Sequence, residues 1–296
     1  ETKRFSITRI FESDNVMKRI SYSQYSQWAA CPHRWKLMYI EDRRDFKGNI
    51  HTLFGSAMHD VLQMYLTVMY NDSIKKADSL PLSEMLLTRM KHYFSEIVDS
   101  SGEEPSSKAE MGQFYQHGLA IIEWFVKKRA MYFSKKGYEL VGIEVPIDYD
   151  IDENIKFIGY IDVLIKDTVR DRYKIIDIKT STMGWNKWAK ADKNKTDQLL
   201  LYKYYYGEQN NIPLDKIDIE YFIVKRKIWE NADFPQRRIQ TFIPANGKPS
   251  VNKVVKNIDS FITEGFNGSE YNIDHIYKKE ASKKNCRFCE FNQTEY

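Results

Sequence analysis

The order of apolar patterns along the 296 residues predicts an α/β fold with a helical region placed ahead of the strands. Two observations carry this. Residues 52–136 read mainly as helices, beginning with the strongly apolar TLFGSAMHDVLQMYLTVMY. After them come three β-rich runs, a helical run and one more strand, within residues 138–229. Strand side chains repeat every two residues and helical ones every 3.6, so the two kinds of run separate cleanly.

Composition narrows the class. Lys plus Arg number 45 and Asp plus Glu 41, a net charge of only +4. That balance does not demand a nucleic-acid partner, but it is compatible with a locally basic groove. The 20 Tyr and 16 Phe suit a core, with some left as stacking surfaces. No apolar run approaches the roughly 20 residues of a membrane span, and no secretory signal is visible, although the chain begins at Glu1. Three cysteines do not make a disulfide scaffold. A reducing, cytoplasmic setting is the simplest expectation.

Element by element, residues 1–20 are polar and read as an extended arm. In ISYSQYSQWAACPHRWKLMYIED the serines can cap a helix, and Pro32 breaks it and opens a second one. Trp28, Trp35 and Tyr39 beside Arg34 and Lys36 make a basic, aromatic pair of helices whose rings are expected on the core. In residues 52–70, Leu53, Phe54, Ala57, Val61, Leu62, Tyr65 and Leu66 form a broad stripe. His59 sits inside that helix, with Gly55 one turn earlier. Residues 71–80 read as a polar connector, Pro81 as a helix start and residues 100–108 as a loop. A long helix is expected over 109–136, with Phe114, Ile121, Ile122, Phe125 and Phe133 in the core. In YELVGIEVPIDYD, Val141, Ile143, Val145 and Ile147 share one strand face and Glu144 the other.

The informative stretch is residues 157–206. Ile158, Tyr160, Asp162 and Leu164 share one face of a strand, and Tyr173, Ile175, Asp177 and Lys179 share one face of the next. A hairpin with its loop near 167–172 lets Asp162 and Asp177 converge, with the Lys179 ammonium beside them. Buried unpaired charge is costly, so such a cluster must be solvated, paired or neutralised by a cation. All-oxygen carboxylate sites suit hard ions such as Mg²⁺ or Mn²⁺.

GYID, then DIKTS, then QLLLY, in this order and on these elements, resembles the PD-(D/E)XK nuclease superfamily, in particular its RecB-like exonuclease branch. The resemblance implies a restriction-endonuclease-like mixed-sheet core. It assigns Asp162 and Asp177 to metal binding and Lys179 to orienting or activating the attacking water. It assigns Gln198 and Tyr202, one helical turn apart, to the DNA backbone. Gly55 and His59 match the family's GxxxH motif, which makes His59 a metal ligand through a neutral ring nitrogen. Glu144 matches an accessory acid that several relatives carry on that strand, and an exposed strand residue fits it equally well.

The opening SxSxxxxWxxCPxRWKLxYI is similar to relatives that hold an iron–sulfur cluster on one N-terminal and three C-terminal cysteines. Cys31, Cys286 and Cys289 match three of those positions; the fourth falls at Glu295. An iron–sulfur cluster, a zinc site and plain reduced thiols all stay open, with a bound group stapling the C-terminal tail to the N-terminal helices. Lys127, Lys128, Arg129, Lys135 and Lys136 read mainly as a solvated helix face. The segment TSTMGWNKWAKADKNKTD reads as a DNA contact, with Trp185, Trp188, Lys187, Lys190, Lys193 and Lys195 offering flat surfaces and charge.

The regions expected are 1–51 (arm and Cys31 helices), 52–136 (helical region), 137–245 (nuclease core) and 246–296 (C-terminal helix and cysteine tail), integrated as one nuclease domain. The expected activity is metal-assisted phosphodiester hydrolysis by a DNA exonuclease acting on single-stranded ends. His59, Asp162, Asp177 and the Ile178 carbonyl would hold Mg²⁺ or Mn²⁺. A structure-specific endonuclease would share these motifs; a non-catalytic DNA-binding subunit would keep the fold but leave the intact Asp162, Asp177 and Lys179 set unexplained.

Overall fold

Capping residues and prolines set the element boundaries in the computed structural model, which describes residues 17–43, 48–229, 231–287, 289–292 and 294. The expected arm lies largely outside those residues, and its end forms β1 (Lys18–Ser21). The Ser21 hydroxyl accepts from the Gln24 amide and caps α1 (Tyr22–Ala30). Pro32 opens α2 (Pro32–Trp35), where its missing N–H is not needed, and a π-helical turn carries on to Ile40. Trp35 is fully buried and meets Phe261 and Phe266 edge-on.

Asn49 accepts from the His51 and Thr52 amides and starts α3 (Ile50–Asn71). The expected connector contains a short helix, α4 (Ile74–Asp78), capped by Ser73 and anchored by buried Ala77. Next come α5 (Leu82–Ser101), which ends at left-handed Gly102, and α6 (Lys108–Lys128). The helix expected to reach residue 136 stops eight residues early. The Arg129 guanidinium turns back to the Val126 carbonyl and to Asp78, and a 3-10 turn takes over.

Five strands then build the sheet with β1: β2 (Tyr138–Asp150), β3 (Ile155–Asp167), β4 (Arg172–Ser181), β5 (Ile217–Lys225) and β6 (Ile239–Phe242). The order is β1-β3-β4-β5-β6, with β2 also pairing β3. Pairings β1–β3 and β4–β5 are parallel and the others antiparallel, so the sheet is mixed. The parallel step from β4 to β5 needs a crossover, supplied by α7 (Lys187–Ala191) and α8 (Lys193–Asn210). After β6 come α9 (Lys248–Gly265), a small β7–β8 hairpin (Phe266–Asn267, Glu270–Tyr271) and α10 (Lys283–Cys286).

Helices cover both faces. Residues of α1, α8 and α9 pack on one face through Tyr25, Leu199, Leu200 and Phe261. Residues of α3, α5 and α6 pack on the other through Phe54, Leu62, Leu86 and Phe125. This is the expected α/β core with its helical addition.

Two features of the sheet were not foreseen. Between Leu140 and Gly142 the β2 register slips by one, leaving Val141 as an extra residue, about half exposed. The expected face of Val141, Ile143, Val145 and Ile147 is broken again at Glu144, whose backbone is left-handed: Ile143 packs with the α3 layer, Val145 and Ile147 with the α8 layer. The second feature is the sharing of one edge of β3. Strand β1 takes residues 155–158 and β4 takes 163–167. Residues 159–162 lie in the gap between them.

Candidate functional site

Asp162 stands in that gap. Strand pairing would set it opposite Asp177, but the ladder stops at Val163 and Ile176. The Ile178 amide instead donates to Asp162 Oδ2 at 2.7 Å. Helix α3 comes down close to β4 at Gly55, where an added Cβ would meet Thr180 Oγ1 at 3.2 Å. One turn on, His59 Nδ1 lies 3.6 Å from Asp162 Oδ2. A further turn on, Gln63 Nε2 donates to Glu144 Oε1 at 2.6 Å and to the Asp162 carbonyl at 3.2 Å. Glu144 is held with φ +48°, a left-handed conformation uncommon outside glycine. His59, Glu144 and Asp162 each offer a ligand atom within 4.8 Å of the others.

A second group adjoins it. Asp177 is almost fully buried and receives the Lys179 ammonium at 3.1 Å on Oδ1 and 2.9 Å on Oδ2. Lys179 also donates to Gln198 Oε1 at 3.0 Å, and Gln198 Nε2 donates to the Tyr202 hydroxyl at 3.2 Å. The Tyr202 ring lies over Gly159, where a Cβ would come within 2.9 Å of it. Gln198 and Tyr202 are thus a chain of hydrogen bonds behind Lys179.

Burial and charge act together on these groups. Burial, reinforced by Asp177, holds the Asp162 carboxyl well above the usual carboxylate range. Burial also holds the His59 imidazole below its ordinary value, which keeps a ring nitrogen free to ligate. Burial alone would depress Lys179, but Asp177 and Asp162 outweigh it and keep the ammonium charged. The carboxylates of Glu144 and Asp162 and the imidazole of His59, opening towards solvent at Glu144, are a donor set that fits a divalent cation such as Mg²⁺ or Mn²⁺. Ile178 enters through its amide on Asp162 and a backbone hydrogen bond with His59.

Cys31 and the Cys286–Cys289 pair, remote from it in sequence, line one cavity of about 200 Å³. Cys31 is buried there, and its Sγ accepts from the Glu280 amide at 3.4 Å. Asn285 donates to the Ala30 carbonyl at 2.8 Å and Arg34 pairs with Glu290 at 2.6 Å, so the tail is already tied to α1 and α2. The fourth position, Glu295, lies outside the described residues.

In the Lys- and Trp-rich segment the two tryptophans part company. Trp185 is buried against Tyr221, ring centroids 4.9 Å apart, and so is not a surface for bases; Trp188 is 72% exposed. Gln63 was missed from sequence. Its one signal was its place one helical turn after His59, on a stripe otherwise apolar.

The chain belongs to the PD-(D/E)XK nuclease superfamily, whose model matches residues 19–294. It is therefore a nuclease, and DNA is its class of substrate. Among solved structures it is similar to the "Putative exonuclease" of Eubacterium rectale, with 14% identity, a TM-score of 0.51, and coverage of 98% of this chain and 92% of that one. That likeness shows the fold. A second structure, SSO0001, aligns over 91% of this chain and 93% of its own at 12% identity, but its TM-score of 0.28 carries no argument. No curated protein matches the sequence. Among the described residues no helix is long and apolar enough to cross a membrane.

Proposed function

We propose that the chain is a Mg²⁺- or Mn²⁺-dependent deoxyribonuclease of the RecB-like branch, acting as an exonuclease on single-stranded ends. The observation that carries the reading is the His59, Glu144 and Asp162 cluster set beside the Lys179–Asp177 pair. His59, Glu144 and Asp162 are the side chains that would hold the cation, while Asp177, expected as a ligand, adjoins them and is engaged by the Lys179 ammonium. A divalent cation bound there supplies Lewis-acid activation of water and of the scissile phosphate. Asp177 and Gln198 fix the Lys179 ammonium, which orients the attacking water and offsets charge growing on the phosphate. Tyr202 acts through Gln198. The Ile178 amide keeps Asp162 turned towards the cluster, which adds to the carbonyl role expected of that residue.

Cys31, Cys286 and Cys289 are soft donors gathered at one cavity, and fit part of the ligand set of an iron–sulfur or zinc site. Such a group would be structural, fastening the tail to α1 and α2. Iron, sulfide and zinc analysis of the purified protein tests this apart from catalysis.

The nuclease reading is tested on single-stranded DNA labelled at either end, with Mg²⁺ or Mn²⁺, comparing the chain with Lys179→Ala and Asp162→Ala. Loss of cleavage in both variants supports the assignment, and the label pattern gives the polarity. Cutting of covalently closed circles would replace the exonuclease by an endonuclease. Equal cleavage by all three proteins would refute the site.

A further inference from the structure

Beyond Lys179 the structure carries a surface that the cleavage site does not use. Lys179 pairs with Ile223 and Ser181 with Lys225 in the β4–β5 ladder. The connection from β5 to β6, residues 226–238, therefore begins three residues, about 10 Å, along the strand from the position of Lys179. It is zipped to the chain leaving β4: the Arg226 amide donates to the Ser181 carbonyl at 2.8 Å and the Lys227 amide to the Thr182 carbonyl at 2.7 Å. The Arg226 side chain anchors it underneath, lying 3.8 Å over the Phe114 ring and bonding Thr182 Oγ1 at 3.2 Å. The Gln240 side chain ties the same region to Trp185 through both its oxygen and its nitrogen.

Two things stand out on this rim. Trp229 and Phe234 are 69% and 68% exposed, and Trp188 on neighbouring α7 is 72% exposed. A single exposed apolar residue is ordinary on a protein surface; what marks this rim is that three large rings fall on two adjoining segments. Their neighbours Lys187, Lys190, Lys225, Lys227, Arg237 and Arg238 form no ion pair among the described residues. The cations also crowd one another. His117 on α6 is held below its ordinary value by burial and then by Arg226, Lys227 and Arg238. Flat apolar rings among cations without carboxylate partners match the chemistry of an unpaired nucleic-acid strand, with bases on the rings and phosphates on the charges. A protein partner would need acidic side chains to match these cations, whereas a nucleic-acid strand brings its phosphates with its bases.

We propose that the β5–β6 connection and α7 form a strand-binding rim, on which unpaired bases stack on Trp229, Phe234 and Trp188 next to the cleavage site. The proposal rests on the nuclease reading and adds to it the surface that selects a single strand.

Fluorescence anisotropy with labelled oligothymidylate and with a blunt duplex, both without divalent ions, tests it. All the residues to be changed are on the surface, so the variants keep the fold. Trp229→Ala with Phe234→Ala is expected to weaken oligothymidylate binding about tenfold or more and duplex binding less than about twofold. Lys227→Ala with Arg237→Ala is expected to weaken both and to reduce the salt dependence by about one to two counterions. Unchanged oligothymidylate affinity in the aromatic variant would overturn the rim, and so would an equal loss on the duplex. Cleavage assays keep the two readings apart. A chain that cleaves DNA but binds strands normally without these rings defeats the rim alone. A chain that never cleaves defeats the nuclease reading, while the binding contrast still decides the rim.

Discussion

The two ends of the central sheet treat charge in opposite ways. At the hairpin end, Lys166 and Lys216 share Asp171, Arg172 forks onto Asp218 at 2.6 and 2.8 Å, and Lys174 meets Glu220 at 3.0 Å. Each of these cations has a carboxylate. At the other end the partly buried Asp162 lies beside buried Asp177 with a single ammonium close to the pair, and the cations of the outer rim have no carboxylate among the described residues. The first end uses its charges to hold register between strands. The second keeps them incompletely compensated, which costs stability in the free protein. An arriving cation and an arriving phosphate chain would relieve that cost. An imbalance confined to one end of a sheet therefore marks a binding site better than the number of charges does.

Four experiments sharpen the contrast. The largest effect is expected at Lys179: Lys179→Ala should slow cleavage by about a thousandfold, read in single-turnover assays, because a fixed charge at the reacting phosphate is lost. Next is Gln63→Ala, which frees Glu144 from its side-chain hydrogen bond to Gln63 and leaves it in a strained backbone conformation. It should raise the Mn²⁺ concentration for half-maximal cleavage by about 10–100-fold, the usual cost of losing a group that orients a ligand. An unchanged Mn²⁺ requirement would remove Gln63 from the account.

The third lies outside the site. Asp197 on α8 is buried, makes no side-chain hydrogen bond or ion pair among the described residues, and has its carboxyl pushed up to about 6, mainly by burial. A carboxyl raised in the folded state binds protons more tightly there than in the unfolded chain. Its penalty is absent below the unfolded value near 3.8, grows as pH rises, and is complete above about 6. Asp197→Asn should therefore stabilise the protein by about 2–3 kcal/mol at neutral pH and by little at pH about 4, in denaturant titrations. A pH-independent gain would point to packing instead. The smallest effect is expected at the hairpin end. Lys166→Ala should cost less than about 1 kcal/mol and leave cleavage alone, as exposed pairs generally do.

Much of this organisation was readable in the chain. Alternation placed Asp162, Asp177 and Lys179 at neighbouring strand positions, and helical spacing placed His59 one turn from Gly55. What could not be read is mostly non-local. Nothing near Asp162 shows that β1 and β4 divide one edge of β3 and leave it in the gap. Nor does the pattern YELVGIEV record an inserted residue, since Val141 continues the alternation until its partner strand is known. Trp185 and Trp188 look alike in sequence, and only the rings of Tyr221 and Phe242 decide that the first is core. Gln63 looked like a stray polar residue on an apolar stripe because its partner, Glu144, is 81 positions away.

The central claim is that the His59, Glu144 and Asp162 cluster is a cation site whose charge is uncompensated in the free protein. Thermal unfolding of the chain and of Asp162→Asn, each with and without Mn²⁺, tests it most directly. The account predicts that the variant melts higher than the parent without metal, and that Mn²⁺ raises the melting temperature of the parent but not of the variant. Equal shifts with Mn²⁺ in both proteins, or none in the parent, would contradict it.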